Sequence, residues 1–423
     1  MVSVLENLEA RGFIAQTSDE GLGEHLAKGS ATIYVGFDPT APSLHLGHLV
    51  PIMALAHMQR AGHKVLVVVG GATGMIGDPS GTSAERNLLT VEQIACNVEG
   101  VRQQLTRFLD FEGDNAAVML NNNDWIGRMS FVEWLRDVGK YFTVNYMIAK
   151  ESVKNRMGSE QGISFTEFSY MTMQAYDFLC LHEKYNCTIQ GGGNDQWGNI
   201  TAGIDLIRKV RNAKSYGMTF PLLTTARGEK FGKTAGNAVW LDAERTSPYQ
   251  FYQYWVRTDD ADVERFMKLF TFLELTRIGE IVAEHSAEPH RRSAQKVLAE
   301  QVTRLVHGEQ GLAKAIRASE ALFGGDLTEF TATELKEIFA DVPSSRIRPS
   351  RLAEGLSLVD LLVEADLVSS KGEARRKIAQ GGAYVNNARI ADAEFVMSPA
   401  HLLGGAIIVL RVGKKQYHLV QLT

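Results

Sequence analysis

Cysteine is scarce in this sequence. The 423 residues include three, Cys96, Cys180 and Cys187, and none belongs to a Cys-x-x-Cys pair or lies in a cluster with histidine. A disulfide framework needs more cysteines, and a structural zinc site needs them closer together. The sequence therefore predicts neither a disulfide-stabilised fold nor a metal site of the protein's own.

Long hydrophobic runs are also missing. The longest apolar stretch, Val65–Ile76, is interrupted by three glycines and is shorter than the roughly 20 residues that a membrane-spanning helix requires. Residues 1–13 include Glu6 and Glu9 and lack the hydrophobic centre of a signal peptide. We therefore expect a cytoplasmic protein without a membrane segment.

Charge of one sign does not dominate. The formal net charge is −5, with 45% hydrophobic and 22% charged residues, which is ordinary for a globular protein and argues against a general nucleic-acid binder. Residues 351–423 hold nine Lys and Arg against seven Asp and Glu, whereas the preceding residues hold 35 against 42. A C-terminal part with a different partner is one interpretation, and the length predicts two or three domains.

The first informative stretch is a strand-to-helix junction, Tyr34–Leu49. The β-branched run 31–37 predicts a buried strand, and the apolar spacing of Leu46–Arg60 predicts a helix, with Ser43 expected as its N-cap. Backbone N–H groups at a helix N-terminus bind phosphate. The HLGH sequence at 45–48 adds two imidazoles to that turn, although such a pair alone is common as surface or capping residues.

Strands and helices alternate over the first half of the chain. Predicted strands are Lys64–Val69, Ala117–Asn121, Thr188–Gln190 and Phe220–Thr224, and glycine-rich loops follow at 70–80 and 191–198. This alternation predicts an α/β fold with a Rossmann-like open parallel sheet, which binds ligands at the carboxyl ends of its strands. Both glycine loops and the HLGH turn lie at such ends, which indicates one nucleotide-sized site.

Four segments are predicted along the chain. Residues 1–235 form the Rossmann-like domain with a helical insertion, and 236–340 form an all-helical domain because apolar residues recur at helical spacing. The polar, proline-bracketed residues 341–354 are expected to be a linker. Residues 355–423 form a small α+β domain with helices 356–365 and 370–380 and short strands around Tyr384, Ile407 and Tyr417.

A second motif, RGEKFGKT at 227–234, looks at first like a phosphate-binding P-loop. Three residues, not four, separate Gly228 from Gly232, and the following segment 239–241 is strand-like, so the P-loop mechanism does not apply. In isolation the segment is typical of a solvated charged turn. Its place after the last strand of the sheet suits two lysines that close over a polyphosphate.

Together, HLGH at 45–48 and KFGKT at 230–234 resemble the HIGH and KMSKS signatures of class I aminoacyl-tRNA synthetases. Tyr34, Gly77-Asp78-Pro79, the segment 168–178 and GGNDQWGN at 192–199 make the whole chain similar to the tyrosine-specific bacterial branch of that class. The resemblance implies that L-tyrosine and ATP give tyrosyl-adenylate and pyrophosphate, and that tyrosine then passes to the 3′-terminal adenosine of tRNA(Tyr). It further implies Mg²⁺ accompanying ATP and a homodimer formed through about residues 124–165.

The resemblance assigns roles to individual residues. Catalysis would fall to His45, His48, Lys230, Lys233 and Thr234, which stabilise the α-phosphate and the departing pyrophosphate. Tyrosine would be bound by Tyr34 and Asp177 at its phenol, and by Asp38, Asp78, Tyr170, Gln174 and Gln196 at its ammonium and carboxylate. ATP would contact Gly36, His45, Gly47, His48, Gly193, Asp195 and Lys233. The residues themselves support part of this, because Tyr170, Gln174 and Asp177 share one helix face at i, i+4 and i+7.

The C-terminal segment resembles a small RNA-binding fold that is shared with a ribosomal small-subunit protein. The resemblance rests on Ser370–Ile378 and on Gly381–Asn386. It implies tRNA contacts for Lys371, Arg375 and Lys377, and the helical domain 236–340 would contribute to tRNA or anticodon binding. Basic side chains along one helix edge are suited to phosphates.

The chain departs from the family pattern at a few positions. Thr234 replaces the usual last serine, and Gly191 and Asn194 stand where Ile and Ser are more common, while Val35 and Pro51 are variable positions. Three other hypotheses remain to be separated: a tryptophan-specific enzyme of the same class, a catalytically idle synthetase-like RNA-binding protein, and a small-molecule nucleotidyl transferase. The first should lack the Tyr34–Asp177 pair, and the last leaves the helical and RNA-binding segments unexplained.

Overall fold

The computed structural model describes residues 3–80, 89–158, 162–229, 231–234, 237–321, 324–340, 342–413 and 416–423, with the backbone alone at 233, 234 and 237. The chain divides into two compact units. The N-terminal unit comprises Met1–Thr246 and Trp255–Val306, and the C-terminal unit comprises Ser247–Tyr254 and His307–Thr423.

The strands are short and distributed over both units. In chain order they are β1 Gln16–Thr17, β2 Thr32–Phe37, β3 Lys64–Val69, β4 Val118–Asn121, β5 Cys187–Gly193, β6 Tyr216–Phe220, β7 Lys233–Thr234, β8 Asn237–Ala238, β9 Ser344–Ile347, β10 Leu356–Ser357, β11 Ala383–Val385, β12 Ala388–Ile390, β13 Val396–Met397, β14 Ile407–Val412 and β15 Gln416–Leu422.

Helices fill most of the remaining chain. They are α1 Val4–Arg11, α2 Leu22–Ala27, α3 Leu49–Arg60, α4 Val91–Leu105, α5 Asn123–Ile126, α6 Phe131–Asp137, α7 Val144–Ile148, α8 Glu151–Met157, α9 Phe165–Tyr185, α10 Trp197–Arg211, α11 Pro248–Val256, α12 Asp260–Phe270, α13 Leu275–Ala287, α14 Ser293–Ala321, α15 Ala332–Ile338, α16 Pro349–Ala353, α17 Leu358–Glu364 and α18 Lys371–Ala379. Gly308, with φ 71° and ψ 179°, interrupts α14. No helix in the described part of the chain is long and apolar enough to cross a membrane.

A six-stranded sheet of order β1-β6-β5-β2-β3-β4 is the centre of the N-terminal unit. All neighbours are parallel except the antiparallel edge pair β1–β6, so the predicted Rossmann-like parallel sheet is confirmed and gains one antiparallel strand. Tyr34, Leu66 and Val68 pack with residues of α9 and α10 in one buried cluster, while α3 contacts β2 and β3. Helices on both faces leave the strand ends for ligands.

The C-terminal unit contains a five-stranded sheet of order β12-β11-β14-β15-β9. Alternate residues of β14 enter two cores, as strand geometry requires. Ile408 and Leu410 pack with α17 and α18, and Ile407 and Val409 pack with α15 and the end of α14. The sheet is therefore covered on both faces by helices of its own unit.

Several predicted boundaries differ from the structure. The predicted helical domain 236–340 is divided between the two units, because 255–306 belong to the N-terminal unit. The proposed linker 341–354 contains β9, which pairs in parallel with β15, and α16, so it is part of the folded unit. The strand predicted at 220–224 is Tyr216–Phe220, because Pro221 cannot donate to the sheet. The division at 235/236 falls between β7 and β8, which pair as a hairpin.

Candidate active site

The predicted tyrosine-binding residues meet at the carboxyl ends of the parallel strands. Asp38 follows β2, Asp78 lies in the loop after β3, and Gln196 lies in a short 3₁₀ turn after β5. Two side chains of α9 reach the same strand ends. Tyr170 bonds to Asp38 after β2, and Asp177 bonds to Asn122 after β4. The residues predicted to bind tyrosine therefore lie at the strand ends where a parallel sheet of this kind binds ligands.

Tyr34 and Asp177 are both buried, at 1% and 4% exposure. The Tyr34 hydroxyl has no hydrogen-bond partner among the described residues. Burial and the nearby Asp177 charge raise the pKa of Tyr34 well above its ordinary value, so the phenol stays protonated and can donate. A buried hydroxyl without a partner is costly unless a ligand supplies one.

Two donors of the protein hold the Asp177 carboxylate. Trp125 Nε1 donates to Oδ1 at 2.7 Å, and Asn122 Nδ2 donates to Oδ2 at 3.0 Å. Burial nevertheless raises the pKa of Asp177 to about 7, with the charge of Asp38 adding to the shift. Each oxygen keeps a lone pair, so the group can also accept a hydrogen bond from a ligand hydroxyl.

Asp38 is the acceptor at the other end of the pocket. The Tyr170 hydroxyl donates to Oδ2 at 2.7 Å, and Thr73 Oγ1 donates to Oδ1 at 2.8 Å. Asn122 Nδ2 also donates to Thr73 Oγ1, at 3.0 Å. Asn122 therefore connects the two ends of the pocket through one amide group.

Asp78, Gln196 and Gln174 form a third polar group. Gln196 Nε2 donates to Asp78 Oδ2 at 2.7 Å, and Asn199 Nδ2 donates to both Gln174 Oε1 and Gln196 Oε1 at 3.1 Å. Burial raises the pKa of Asp78 to about 6, although hydrogen bonds from Ser80 and Gln196 oppose the shift. The structure thus brings all seven predicted tyrosine-binding residues close together, through hydrogen bonds or neighbouring charges.

Sequence reasoning missed four residues of this network: Thr73, Asn122, Trp125 and Asn199. Asn122 lies 55 positions from Asp177 in sequence, and no spacing rule connects residues so far apart. The only available signal was position, since Asn122 directly follows β4 at the sheet edge where ligands bind.

The HLGH turn is a 3₁₀ turn, Leu46–His48, that leads into α3. His45, not the predicted Ser43, is the N-cap: its Nδ1 accepts the Gly47 N–H at 3.1 Å, and His48 Nδ1 accepts the His45 N–H at 3.1 Å. Ser43 instead bonds to Leu44 and Gln104. The two rings lie 4.0 Å apart.

The ring hydrogen bonds fix what the histidines can do. Because each Nδ1 accepts a backbone N–H, each neutral imidazole carries its proton on Nε2 and presents a donor there. Burial and the neighbouring His45 lower the pKa of His48 to about 3. His48 is therefore a neutral hydrogen-bond donor at physiological pH, which suits an oxygen that gains negative charge.

The second signature lies against this turn. Leu46 N donates to Val239 O at 3.0 Å, and Val239 N donates to Gly232 O at 2.9 Å. Lys230 lies outside the described residues, and the side chains of Lys233 and Thr234 are not described either. Their backbone forms β7, so the structure tests neighbouring main-chain positions but not the predicted contacts of these three side chains.

The remaining predicted nucleotide contacts lie around the ends of β2 and β5. Gly36 is exposed, and an added Cβ would meet nothing within 4 Å, whereas one on Gly193 would lie 2.5 Å from Asp195 Oδ1. Of the two departures, Asn194 Oδ1 accepts from Gln16 and Thr219 at 3.1 and 3.0 Å. A Cβ on Gly191 would lie 3.1 Å from Phe220, so Phe220 occupies the space of a side chain there.

The basic residues proposed for tRNA are only partly together. Lys371 and Arg375 are exposed and lie one turn apart on α18, and Lys371 Nζ is 2.9 Å from Asp360. Lys377 is half-buried and lies on the other side of the stripe formed by Ala374 and Ile378. The predicted edge therefore contains Lys371 and Arg375 but not Lys377.

Comparison with known proteins gives consistent relationships. Residues 26–324 match the family of class I tRNA synthetases for W and Y, and residues 334–420 match the C-terminal domain of tyrosine–tRNA ligases. The chain is 51% identical to a tyrosine–tRNA ligase of Roseiflexus castenholzii, covering 100% of both chains, and 52% identical to one of Rhodopirellula baltica, covering 99% of this chain and 96% of that one.

A solved structure supports the same relationship to tyrosine–tRNA ligases. The C-terminally truncated mitochondrial tyrosyl-tRNA synthetase of Aspergillus nidulans has 34% identity and a TM-score of 0.69, covering 74% of this chain and 92% of that one. The two family models span most of the chain, and the relatives share about half of its residues over nearly its whole length. This is enough to assign the chain to a family. The chain belongs to the class I tRNA synthetases, and within them to the tyrosine–tRNA ligases.

Proposed function

We propose that the chain activates L-tyrosine with ATP and then transfers the tyrosyl group to tRNA(Tyr), through the residues of the pocket described above. The carboxylate of tyrosine attacks the α-phosphorus of ATP, which forms tyrosyl-adenylate and releases pyrophosphate. The acyl group then passes to a hydroxyl of the 3′-terminal adenosine. Neither step needs a side-chain nucleophile, so positioning and charge stabilisation supply the catalysis.

The Tyr34 hydroxyl is the observation that carries the proposal. It is buried without a partner next to the Asp177 carboxylate, and a substrate phenol can accept from the first and donate to the second. An indole offers one N–H donor and no acceptor, so it would leave Tyr34 unsatisfied. The pair therefore favours tyrosine over the tryptophan hypothesis.

The carboxylates support binding of an ammonium group. Burial raises the pKa of both Asp78 and Asp177, and the charge of Asp38 adds to each shift, so the pocket holds mutually repelling acidic groups. A substrate ammonium placed among Asp38, Asp78 and Tyr170 would relieve this repulsion. Gln174 and Gln196, held by Asn199, would orient the ammonium and carboxylate groups.

ATP would be bound at the HLGH turn and the neighbouring strand ends. His45 and His48 would donate from Nε2 to the α-phosphate and the leaving pyrophosphate, and the resemblance assigns Lys230, Lys233 and Thr234 to the same charge. Gly36, Gly47, Gly193 and Asp195 would contact the nucleotide. Gly36 supports this assignment by its open surroundings.

Mg²⁺ would enter with ATP and neutralise charge on the phosphates. Among the described residues, no group of three or more His, Cys, Asp or Glu side chains is arranged to hold a metal ion. Such a group is not required, because Mg²⁺ beside nucleotides is usually held by phosphate oxygens and water.

The partners and location extend the same proposal. Lys371 and Arg375 would contact tRNA phosphates, and so would the exposed Arg376, which was not predicted from the sequence.

A second copy would cover an apolar groove of about 500 Å³ between α6 and α9. Exposed Phe131, Leu135, Val144 and Phe165 border it, and patches of this kind commonly mark interfaces. We keep the prediction of a cytoplasmic location.

Pyrophosphate exchange into ATP tests the function. Exchange should depend on tyrosine, with tryptophan and phenylalanine far less effective, and the protein should charge tRNA(Tyr) in a second assay. His48→Ala should depress exchange by roughly 10²–10³-fold without changing tyrosine affinity. Exchange that tryptophan supports better, or that no amino acid supports, would exclude the proposed reaction.

A further inference from the structure

The RGEKFGKT segment is attached to helix α12 by contacts that the proposed mechanism does not use. Phe231 is 6% exposed and stacks on Phe270, with ring centroids 5.1 Å apart and planes at 5°. Trp255 and Phe266 complete the cluster at centroid distances of 5.9 and 5.0 Å. If the segment were only a solvated turn, its aromatic residue would be exposed.

Two carboxylates at the start of α12 also bind residues 226 and 227, where the segment begins. Asp259 is the N-cap, yet it makes no side-chain bond to its own helix. Its oxygens accept from Arg227 Nε and Nη2 at 2.8 and 2.9 Å. Asp262, 3% exposed, accepts the Ala226 N–H at 2.7 Å. An N-cap aspartate ordinarily satisfies N–H groups of its own helix, whereas Asp259 binds Arg227 instead. Asp262 accepts from Ala226 through Oδ2 and from Arg265 of its own helix through Oδ1, at 2.8 Å.

The other side of the segment touches the HLGH turn. Gly232 has φ +79°, and an added Cβ would lie 3.0 Å from Leu46 Cβ and 3.4 Å from Gly47 N. The Gly232 carbonyl accepts from Val239, whose own carbonyl accepts from Leu46. Main chain next to Phe231 is therefore held between α12 and the turn that carries His45 and His48.

We propose that Asp262 and Phe231 are positioning residues for adenylate formation, and that α12 is the platform that holds the second signature against the first. The inference rests on the proposed function, since it assigns the anchored main chain to the ATP step. Misplacement of catalytic groups by even about 1 Å can reduce a rate roughly 100-fold. Weakening the anchor should therefore slow adenylate formation although neither residue touches a substrate.

The tyrosine pocket provides an internal control. The described hydrogen bonds of Asp78, Asp177 and Gln196 run to Ser80, Asn122, Trp125, Asp195 and Asn199, and none reaches α12. Tyrosine affinity should therefore stay constant when the anchor is weakened. A general loss of folding would lower both affinity and rate.

Single-turnover adenylate formation tests the proposal in the full-length protein. Asp262→Ala, Asp262→Asn and Phe231→Leu are compared with wild type, with the rate measured over a range of ATP concentrations and tyrosine affinity titrated in parallel. Asp260→Asn is the matched control on the same helix turn. Asp260 pairs with His285 at 3.0 Å and accepts from Gln295 at 2.5 Å, so it stabilises α12 without touching the loop.

Asp262→Ala and Phe231→Leu should lower the rate or weaken ATP binding by roughly 10- to 100-fold, with the tyrosine Kd within about twofold of wild type. Asp262→Asn should recover most of the loss, because its amide oxygen still accepts the Ala226 N–H. Asp260→Asn should lower the melting temperature alone. Wild-type kinetics in Asp262→Ala and Phe231→Leu, or an equal loss in Asp260→Asn, would overturn the proposal. Absence of tyrosine-dependent exchange in wild type would instead overturn the proposed function.

Discussion

At the scale of single residues, the pocket contains polar groups whose burial is only partly compensated by hydrogen bonds. The Tyr34 hydroxyl is buried and unpaired among the described residues. Asp78 and Asp177 have raised pKa values, about 6 and about 7, chiefly because they are buried. Each of these costs free energy in the folded protein, and under the proposed function each would be relieved by one end of a tyrosine molecule. Binding and discrimination would then share one cause.

Removing the Tyr34 hydroxyl should relax specificity. We expect Tyr34→Phe to reduce the tyrosine-to-phenylalanine ratio of kcat/KM by roughly tenfold, because leaving a buried polar group unsatisfied costs about 1–3 kcal/mol and the variant no longer imposes that cost on phenylalanine. Pyrophosphate exchange with each amino acid measures the ratio. Tyr176→Phe, whose ring packs against Trp134, serves as the control. An unchanged ratio in both Tyr34→Phe and Asp177→Asn would show that the pocket is assigned wrongly.

Tyrosine affinity should depend on pH through Asp78. Its pKa is raised to about 6 in the free protein, and a bound ammonium would lower it, so binding favours the ionised carboxylate. The contribution of Asp78 is then full well above pH 6 and is lost as the pH falls through 6. Titration of the tyrosine Kd from pH 7.5 to 5 measures the effect. In Asp78→Asn the Kd should be raised at pH 7.5 and should change less with pH. A wild-type Kd that stays constant across this range would contradict the assignment.

Single-residue prediction from sequence worked where local geometry decided the outcome. Tyr170, Gln174 and Asp177 were placed together by helical spacing, and all three lie on α9. Asn122 and Trp125 were not predicted, because they act through hydrogen bonds to Asp177, which lies 55 and 52 positions away from them in sequence. Only the assembled sheet brings such partners into contact.

At the scale of elements, the first turn of α9 is tied to α8 by a buried ion pair. Arg156 Nη2 lies 2.7 Å from Glu167 Oε2, and both side chains are 3% exposed. Ser164 caps the same turn by accepting the Glu167 N–H. Because α9 carries Tyr170, Gln174 and Asp177, this pair fixes the end of the helix nearest Tyr170, which is proposed to bind the substrate ammonium group.

Breaking that pair should destabilise the protein. Arg156→Met leaves Glu167 buried and uncompensated, a change that typically costs about 3–5 kcal/mol. The urea midpoint should fall accordingly, and the double variant Arg156→Met, Glu167→Leu should recover most of it. The exposed pair Arg277–Glu280 is the control, since Arg277→Met should cost less than about 1 kcal/mol. A double variant no more stable than Arg156→Met would exclude the unpaired charge as the cause.

Elements were predictable from sequence when burial was uniform. Lys64–Val69 was placed correctly because its residues after Lys64 are apolar and buried. Strand Ser344–Ile347 was missed because it is an edge strand with only Ile347 buried, and its polar residues lie between two prolines. Hydrophobic pattern reports burial, so strands that bury little leave almost no signal.

At the scale of the whole molecule, the C-terminal unit should serve tRNA and not amino-acid activation. Charge reversal of Lys371 and Arg375 together should raise the KM for tRNA roughly tenfold in the charging assay and leave pyrophosphate exchange unchanged, because phosphate contacts contribute electrostatically. The exposed Lys28, which lies outside the segments predicted to bind tRNA, provides a control reversal. Charging that survives the double reversal at wild-type KM would remove these residues from the tRNA site. Substitutions are preferable to a cut after Ser350, which would separate β9 from β15.

The apolar groove between α6 and α9 predicts the assembly. Phe131 is 64% exposed and Phe165 68%, and leaving such side chains in water forgoes about 25 cal/mol for each Å² that a second copy would cover. Stable interfaces bury at least about 1,200 Å², which requires the helices around the groove as well as the groove itself.

Sedimentation at micromolar concentration should give about twice the chain mass of 46.7 kDa. Phe131→Glu should shift it toward one chain, because a buried unpaired carboxylate opposes association. Val91 is 63% exposed but lies on α4 outside the groove, so Val91→Glu should remain dimeric. If Phe131→Glu keeps the wild-type mass, the second copy does not cover this groove.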